Sequence, residues 1–248
     1  MLRYISACLS VALVLSPAVP VRAVHAQQGA VEAWPAEFFP ILPWGTVPMQ
    51  TGAEAARLRG IPSIKDCEFT IAGFVQPKDL PECERLGMKA ILAAPRNKPW
   101  FGHHAKLSDS QIDEMVRAQV KTAGTSPAIL GYYIMDEPGA QHFPMLAKAV
   151  AAVKKYAPGK LAYINLFPGY ATIGAPNQSQ LGSKSFTEYL EHYIAEVRPQ
   201  FLSYDNYMVQ YSQDLHSSER GARYYSDLME VRRVALEHGL TFWNIVSS

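Results

Sequence analysis

Residues 129–135 (ILGYYIM) form an unbroken apolar run that ends in two acids, Asp136 and Glu137, followed at once by Pro138 and Gly139. A protonated carboxyl can donate to a leaving oxygen, while an ionised one can attack or activate water. Adjacent acids can carry both roles if their surroundings hold them in different protonation states. On an extended strand, neighbouring side chains point to opposite faces. The spacing therefore predicts that Asp136 and Glu137 diverge, and entry of both into one site would raise one of their pKa values. Further polar groups close two later apolar runs: Asn165 in 161–167 (LAYINLF), and Tyr204, Asp205, Asn206 and Tyr207 in 201–207 (FLSYDNY).

A buried strand that delivers polar groups at its carboxyl end is the arrangement parallel α/β folds use to present a site. The rest of the chain fits that frame. Strand-like runs at 39–44, 69–75, 88–94, 129–135, 161–167, 201–207 and 240–246 alternate with helical patterns at 52–59, 80–86, 108–123, 143–156, 186–197 and 219–238. Ser108 and Gln111 make a capping-box pair at the start of the third helix. Strict alternation predicts parallel βαβ units. The expected fold is α/β, a (β/α)8 TIM barrel incomplete at its C-terminus, with about seven strands; an open doubly wound sheet is the alternative. A barrel lacking its eighth strand would leave two unpaired edges.

Residues 1–26 read as a signal peptide: Arg3 supplies the positive start, 5–14 the apolar stretch, and Val24-His25-Ala26 a small-residue cleavage site. The apolar stretch is short for a membrane span. Residues 27–38 form a polar, Pro-containing lead, and 39–248 one barrel domain. The expected destination is periplasmic or extracellular. A formal net charge of +1 gives no electrostatic ground for nucleic acid or an anionic membrane surface. Outside the leader, two cysteines remain, Cys67 and Cys83, which an exported protein could pair or leave free. No CxxC or HExxH spacing argues for zinc, and no cofactor is called for.

Gathering the strand ends gives Trp44, then Arg96 and Asn97 with Trp100, His103 and His104 in the following loop, Asp136 and Glu137, Asn165 and Tyr170, Tyr204 to Tyr207, and Trp243 with Asn244. Aromatics, amides and carboxylates dominate and cations are few. Such a rim suits a carbohydrate: rings stack on C–H surfaces and polar groups bond hydroxyls.

On the segments GYYIMDEP (131–138), AYINLFPGY (162–170) and SYDNY (203–207), the chain resembles the clan-A (β/α)8 glycoside hydrolases, and within them β-galactosidase-like barrels of the family 42 type. The resemblance spans 39–246. It implies cleavage of O-glycosidic bonds of an oligo- or polysaccharide, with Glu137 as acid/base at the end of the fourth strand. The clan's preceding Asn is Asp136 here, which as a carboxylate can only accept hydrogen bonds. The clan's nucleophile, a Glu closing the seventh strand, has no match before Ser248. Asp205 is the candidate second carboxylate. Asn165, Tyr204, Asn206, Tyr207, Trp44, Trp243 and His103 are the substrate-binding candidates. Two other classes stay open: a metal-dependent sugar enzyme using Glu137, Asp205 and a His, and a sugar-binding barrel without catalysis.

Overall fold

The computed structural model describes residues 38–44, 60–95, 100–102 and 106–246. Six strands and six helices alternate through them: α1 (Ile61–Asp66), β1 (Ile71–Val75), α2 (Leu80–Arg85), β2 (Lys89–Leu92), α3 (Asp109–Ala123), β3 (Ile129–Asp136), α4 (Phe143–Tyr156), β4 (Leu161–Asn165), α5 (Phe186–Val197), β5 (Leu202–Asp205), α6 (Ser218–Glu237) and β6 (Phe242–Ile245). The leader, residues 27–37 of the lead, the expected helix at 52–59, and Arg96, Asn97, His103 and His104 lie outside the described residues.

Local chemistry accounts for the helix starts. Ser108 Oγ accepts from Gln111 N at 3.3 Å, and Gln111 Oε1 accepts from Ser108 N at 2.8 Å, a reciprocal box that satisfies two donors at the start of α3. Ser185 caps α5 through Glu188 N, and Ser217 caps α6 through Arg220 N. α5 ends on Arg198, which takes a left-handed conformation (φ 52°) ahead of Pro199.

All strand pairs are parallel. β1 to β4 are neighbours in sequence order, and so are β5 and β6. A bridge between Leu166 and Tyr204 joins the two sheets, with Leu166 N donating to Ser203 O at 2.7 Å. A doubly wound sheet reverses its strand order at a switch point; no reversal occurs among the described residues, which removes that alternative for them. Gly131 sits opposite Leu161 in the β3–β4 register, where a Cβ would lie 2.6 Å from Leu161 O, so only glycine lets these two strands approach.

The segment 39–44, expected as the first strand, is not one. It runs beside β1, and Ile41 O accepts from both Thr70 N (3.1 Å) and Ile71 N (3.0 Å). Pro40 and Pro43 have no N–H to continue a ladder. The described strands are therefore six rather than seven.

The sheet buries both faces. On the helix side, Val116, Leu146, Val150, Leu190, Ile194 and Val231 pack on strand residues such as Ala90, Leu92, Ile134 and Ile164. On the other face Ile71, Phe74, Ile91, Leu130, Tyr163 and Phe201 cluster with Tyr133 and Trp243. The ring centroids of Phe74 (β1) and Tyr163 (β4) are 5.7 Å apart. Three strand spacings in a flat sheet would separate those strands by about 14 Å, so the sheet bends toward this inner cluster. Cys67 is exposed and Cys83 buried, and both are free thiols.

Candidate active site

The inner aromatic cluster forms a floor, and the polar strand ends lie just beyond it. Tyr163, Ser203 and Trp243 occupy one level: Ser203 pairs with Trp243 in the β5–β6 register, and Tyr163 OH lies 3.0 Å from Ser203 Oγ. Two residues further along each strand, Asn165 and Asp205 occupy the next level, and Asp136 pairs with Asn165 in the β3–β4 register.

Asn165 is the hub. It is fully buried, and its Nδ2 donates to Asp136 Oδ1 at 3.1 Å and to Asp205 Oδ2 at 3.0 Å. Its Oδ1 accepts from Ser203 Oγ at 3.0 Å. With the one Ser203 proton so committed, Tyr163 is the donor in the Tyr163–Ser203 contact. Asn165, expected from the sequence as a substrate-binding residue, thus has its hydrogen bonds within the cluster. Both of its N–H groups are spent on carboxylates.

Asp136 and Glu137 do not diverge. Glu137 has a φ of 44°, in the left-handed region that costs a residue with a Cβ about 1–2 kcal/mol. Leaving extended geometry breaks the alternation, so Asp136 reaches Asn165 while Glu137 comes within hydrogen-bonding reach of Asp205. The turn is held from both sides: Glu137 N donates to Asn165 O at 2.8 Å, and Tyr189 OH from α5 donates to Pro138 O at 2.6 Å.

Asp205 is 1% exposed, and its Oδ1 has no donor among the described residues. Burial, followed by the charge of Glu137, pushes it up to about 8. Burial also raises Glu137, with the charge of Asp136 adding to the effect. Two carboxyls in contact stay together only with a proton between them. Protonated Asp205 supplies it, and the otherwise unpaired Oδ1 becomes a donor. Tyr207 is raised by burial and by the Asp205 charge. Its N donates to Tyr170 OH at 3.2 Å, which brings Tyr170 to the same side.

Other expected residues take other places. Tyr204 points the opposite way from Ser203 and Asp205, as strand alternation requires, and is buried in the helix-side core. Asn206 is fully buried, donates to Asp227 Oδ2 at 2.8 Å and accepts from Met208 N at 3.0 Å, so its amide serves the loop rather than a ligand. Asp227, from α6, also accepts from Gly169 N at 2.9 Å. Trp243 belongs to the floor, packed on Phe201 and Tyr163. Trp44 is 38% exposed and meets Phe74 edge-on at 5.1 Å, a ring at the mouth of the cluster. His103 lies outside the described residues. The sequence reading missed Tyr163, Ser203 and Tyr189. The first two could have been found by stepping back two positions from Asn165 and Asp205; Tyr189, arriving from a helix, left no such signal.

Among the described residues no group of three or more His, Cys, Asp or Glu is arranged to hold a metal ion, and no helix is long and apolar enough to cross a membrane.

No family model matches the chain, and no curated protein does. Solved structures that resemble it include a β-D-glucuronidase of Dictyoglomus thermophilum (11% identity, TM-score 0.47, covering 72% of this chain and 30% of that one). A glycosyl hydrolase family 2 member of Bacteroides cellulosilyticus matches at 13% identity and TM-score 0.45, over 76% of this chain and 25% of that one. A family 51 α-L-arabinofuranosidase of Bifidobacterium longum matches at 8% and 0.36, over 68% and 38%. All three are glycosidases by name. The chain spans well under half the length of each, and nothing in these matches singles out the family 42 type.

Proposed function

We propose that the chain is an exported glycoside hydrolase of the (β/α)8 type, cleaving O-glycosidic bonds of an oligo- or polysaccharide with Glu137 as general acid. One observation carries this reading: Glu137 and Asp205, at the carboxyl ends of parallel strands, face each other closely enough to share a proton. General acid catalysis needs a carboxyl still protonated near neutral pH beside one able to take a negative charge, and burial together with mutual repulsion supplies that here. The mouth offers an exposed ring, Trp44, for stacking on a sugar face. Glu137 would donate the shared proton to the glycosidic oxygen, and Asp205, left ionised, would face the developing positive charge at the anomeric carbon. Inverting enzymes hold their carboxyls about 6.5–9.5 Å apart, retaining ones about 5 Å. The anomer first released, followed by NMR, would report the stereochemical outcome.

The test is reducing-sugar release from a panel of polysaccharides and aryl glycosides by wild type, Glu137→Gln and Asp205→Asn. Loss of an acid catalyst lowers the rate about 10²–10⁴-fold. The loss with Glu137→Gln is expected to be large on poor leaving groups and small on dinitrophenyl glycosides, which leave without a proton. Sugar binding without release by folded wild type would overturn the hydrolase reading in favour of a binding barrel.

A further inference from the structure

We infer that Asn165 is a positioning residue, set by the buried chain Tyr163–Ser203–Asn165, which fixes where the proton of the carboxylate cluster resides. The inference deepens the glycosidase reading and rests on it for catalysis, but its geometry stands alone. Tyr163 OH donates to Ser203 Oγ (3.0 Å), Ser203 Oγ donates to Asn165 Oδ1 (3.0 Å), and Asn165 Nδ2 donates outward to Asp136 Oδ1 and Asp205 Oδ2. Tyr163, Ser203 and Asn165 are all nearly or fully buried. Each member has one orientation that satisfies the next. Flipping the Asn165 amide would aim its oxygen at two carboxylates and its N–H groups at a serine whose proton already points inward.

The consequence lies at Asp205. Asn165 occupies its Oδ2 as a donor, so a proton on Asp205 sits on Oδ1, the atom with no other donor among the described residues and the one left to face Glu137. The amide thereby directs the proton toward the proposed acid rather than into the sheet. It also separates Asp136 from Asp205 while touching both. The groups that face Asp205 are Asp136 and Glu137 from the end of β3, Asn165 and Tyr163 from β4, Tyr170 after β4, Tyr189 from α5 and Tyr207 after β5. None of these groups is a cation, so among them neutral donors hold negative charge on Asp205: the Asn165 amide at 3.0 Å and the Tyr207 side chain.

The test reads the proton directly. Infrared difference spectra across a pH titration show the carbonyl band of a protonated carboxyl, and Asp205→Asn identifies the Asp205 component. Asn165→Leu, of similar shape but without donors, is expected to move that titration upward by about one pH unit, the size of one lost hydrogen bond to a charged group. Ser203→Ala, a smaller change that leaves the fold in place, is expected to move it in the same direction by less, and Tyr163→Phe by less again. The basic limb of the rate profile on a poor leaving group should follow each shift. A titration that stays in place in folded Asn165→Leu and in Ser203→Ala would overturn the inference. A shifted titration in a protein that cleaves no glycoside would keep the positioning role and sink the hydrolase reading instead.

Discussion

Glu137 is a residue whose backbone decides its chemistry. Its sequence neighbours predict a side chain facing away from Asp136, and the φ of 44° reverses that. Positive φ at a non-glycine position is not written in residue type, which is why the carboxylate cluster could be listed from the sequence but not assembled from it. The cluster also has a stability signature. In the folded chain Asp205 keeps a proton up to about pH 8, whereas in the unfolded chain it loses it near its ordinary value. The folded state therefore binds more protons across that window, and this pair makes stability fall as pH rises from about 4 to about 8. Asp205→Asn, which cannot ionise, should flatten that slope and leave the variant more stable than wild type at pH 8 by roughly 1–3 kcal/mol, the range for a poorly compensated buried polar group. Urea midpoints at pH 5 and pH 8 would show it. An unchanged pH slope would mean that the carboxylate pair is not strained.

At the scale of elements, the sequence was legible wherever local rules suffice. α4 and α5 begin and end where periodicity and the flanking Ala-Pro-Gly and Pro199 placed them, and six of the seven expected strands form. It failed where a backbone makes bonds that its residue types disguise, as at 39–44, where apolar side chains suggested a strand that the prolines deny. It failed again at Tyr204, where an aromatic at a strand end reads alike whether it faces the site or the helices. Two substitutions probe the elements. Gly131→Ala places a Cβ against Leu161 between β3 and β4 and should destabilise by about 1–3 kcal/mol, as overpacking does. Arg198→Gly relieves the left-handed cap of α5 while keeping the backbone carbonyl that accepts from Lys154 Nζ, and should stabilise by about 0.5–1 kcal/mol. Denaturant midpoints decide both.

The molecule as a whole offers a global readout in its two described thiols. Cys67 is exposed, while burial, with Asp79 and Glu82 adding to it, pushes the Cys83 thiol up to about 11. Iodoacetamide followed by peptide mapping should label Cys67 in the native protein and Cys83 only on unfolding. Native labelling of Cys83 would mean that α2 opens locally. The strand order has a further consequence. Among the described residues each strand docks beside the one that precedes it in sequence, and the Ile41 carbonyl takes the two amides at the start of β1. During synthesis the described sheet therefore grows at a front that advances with the emerging chain. A ribosome pausing between strands would leave the edge of the newest strand for chaperones to guard.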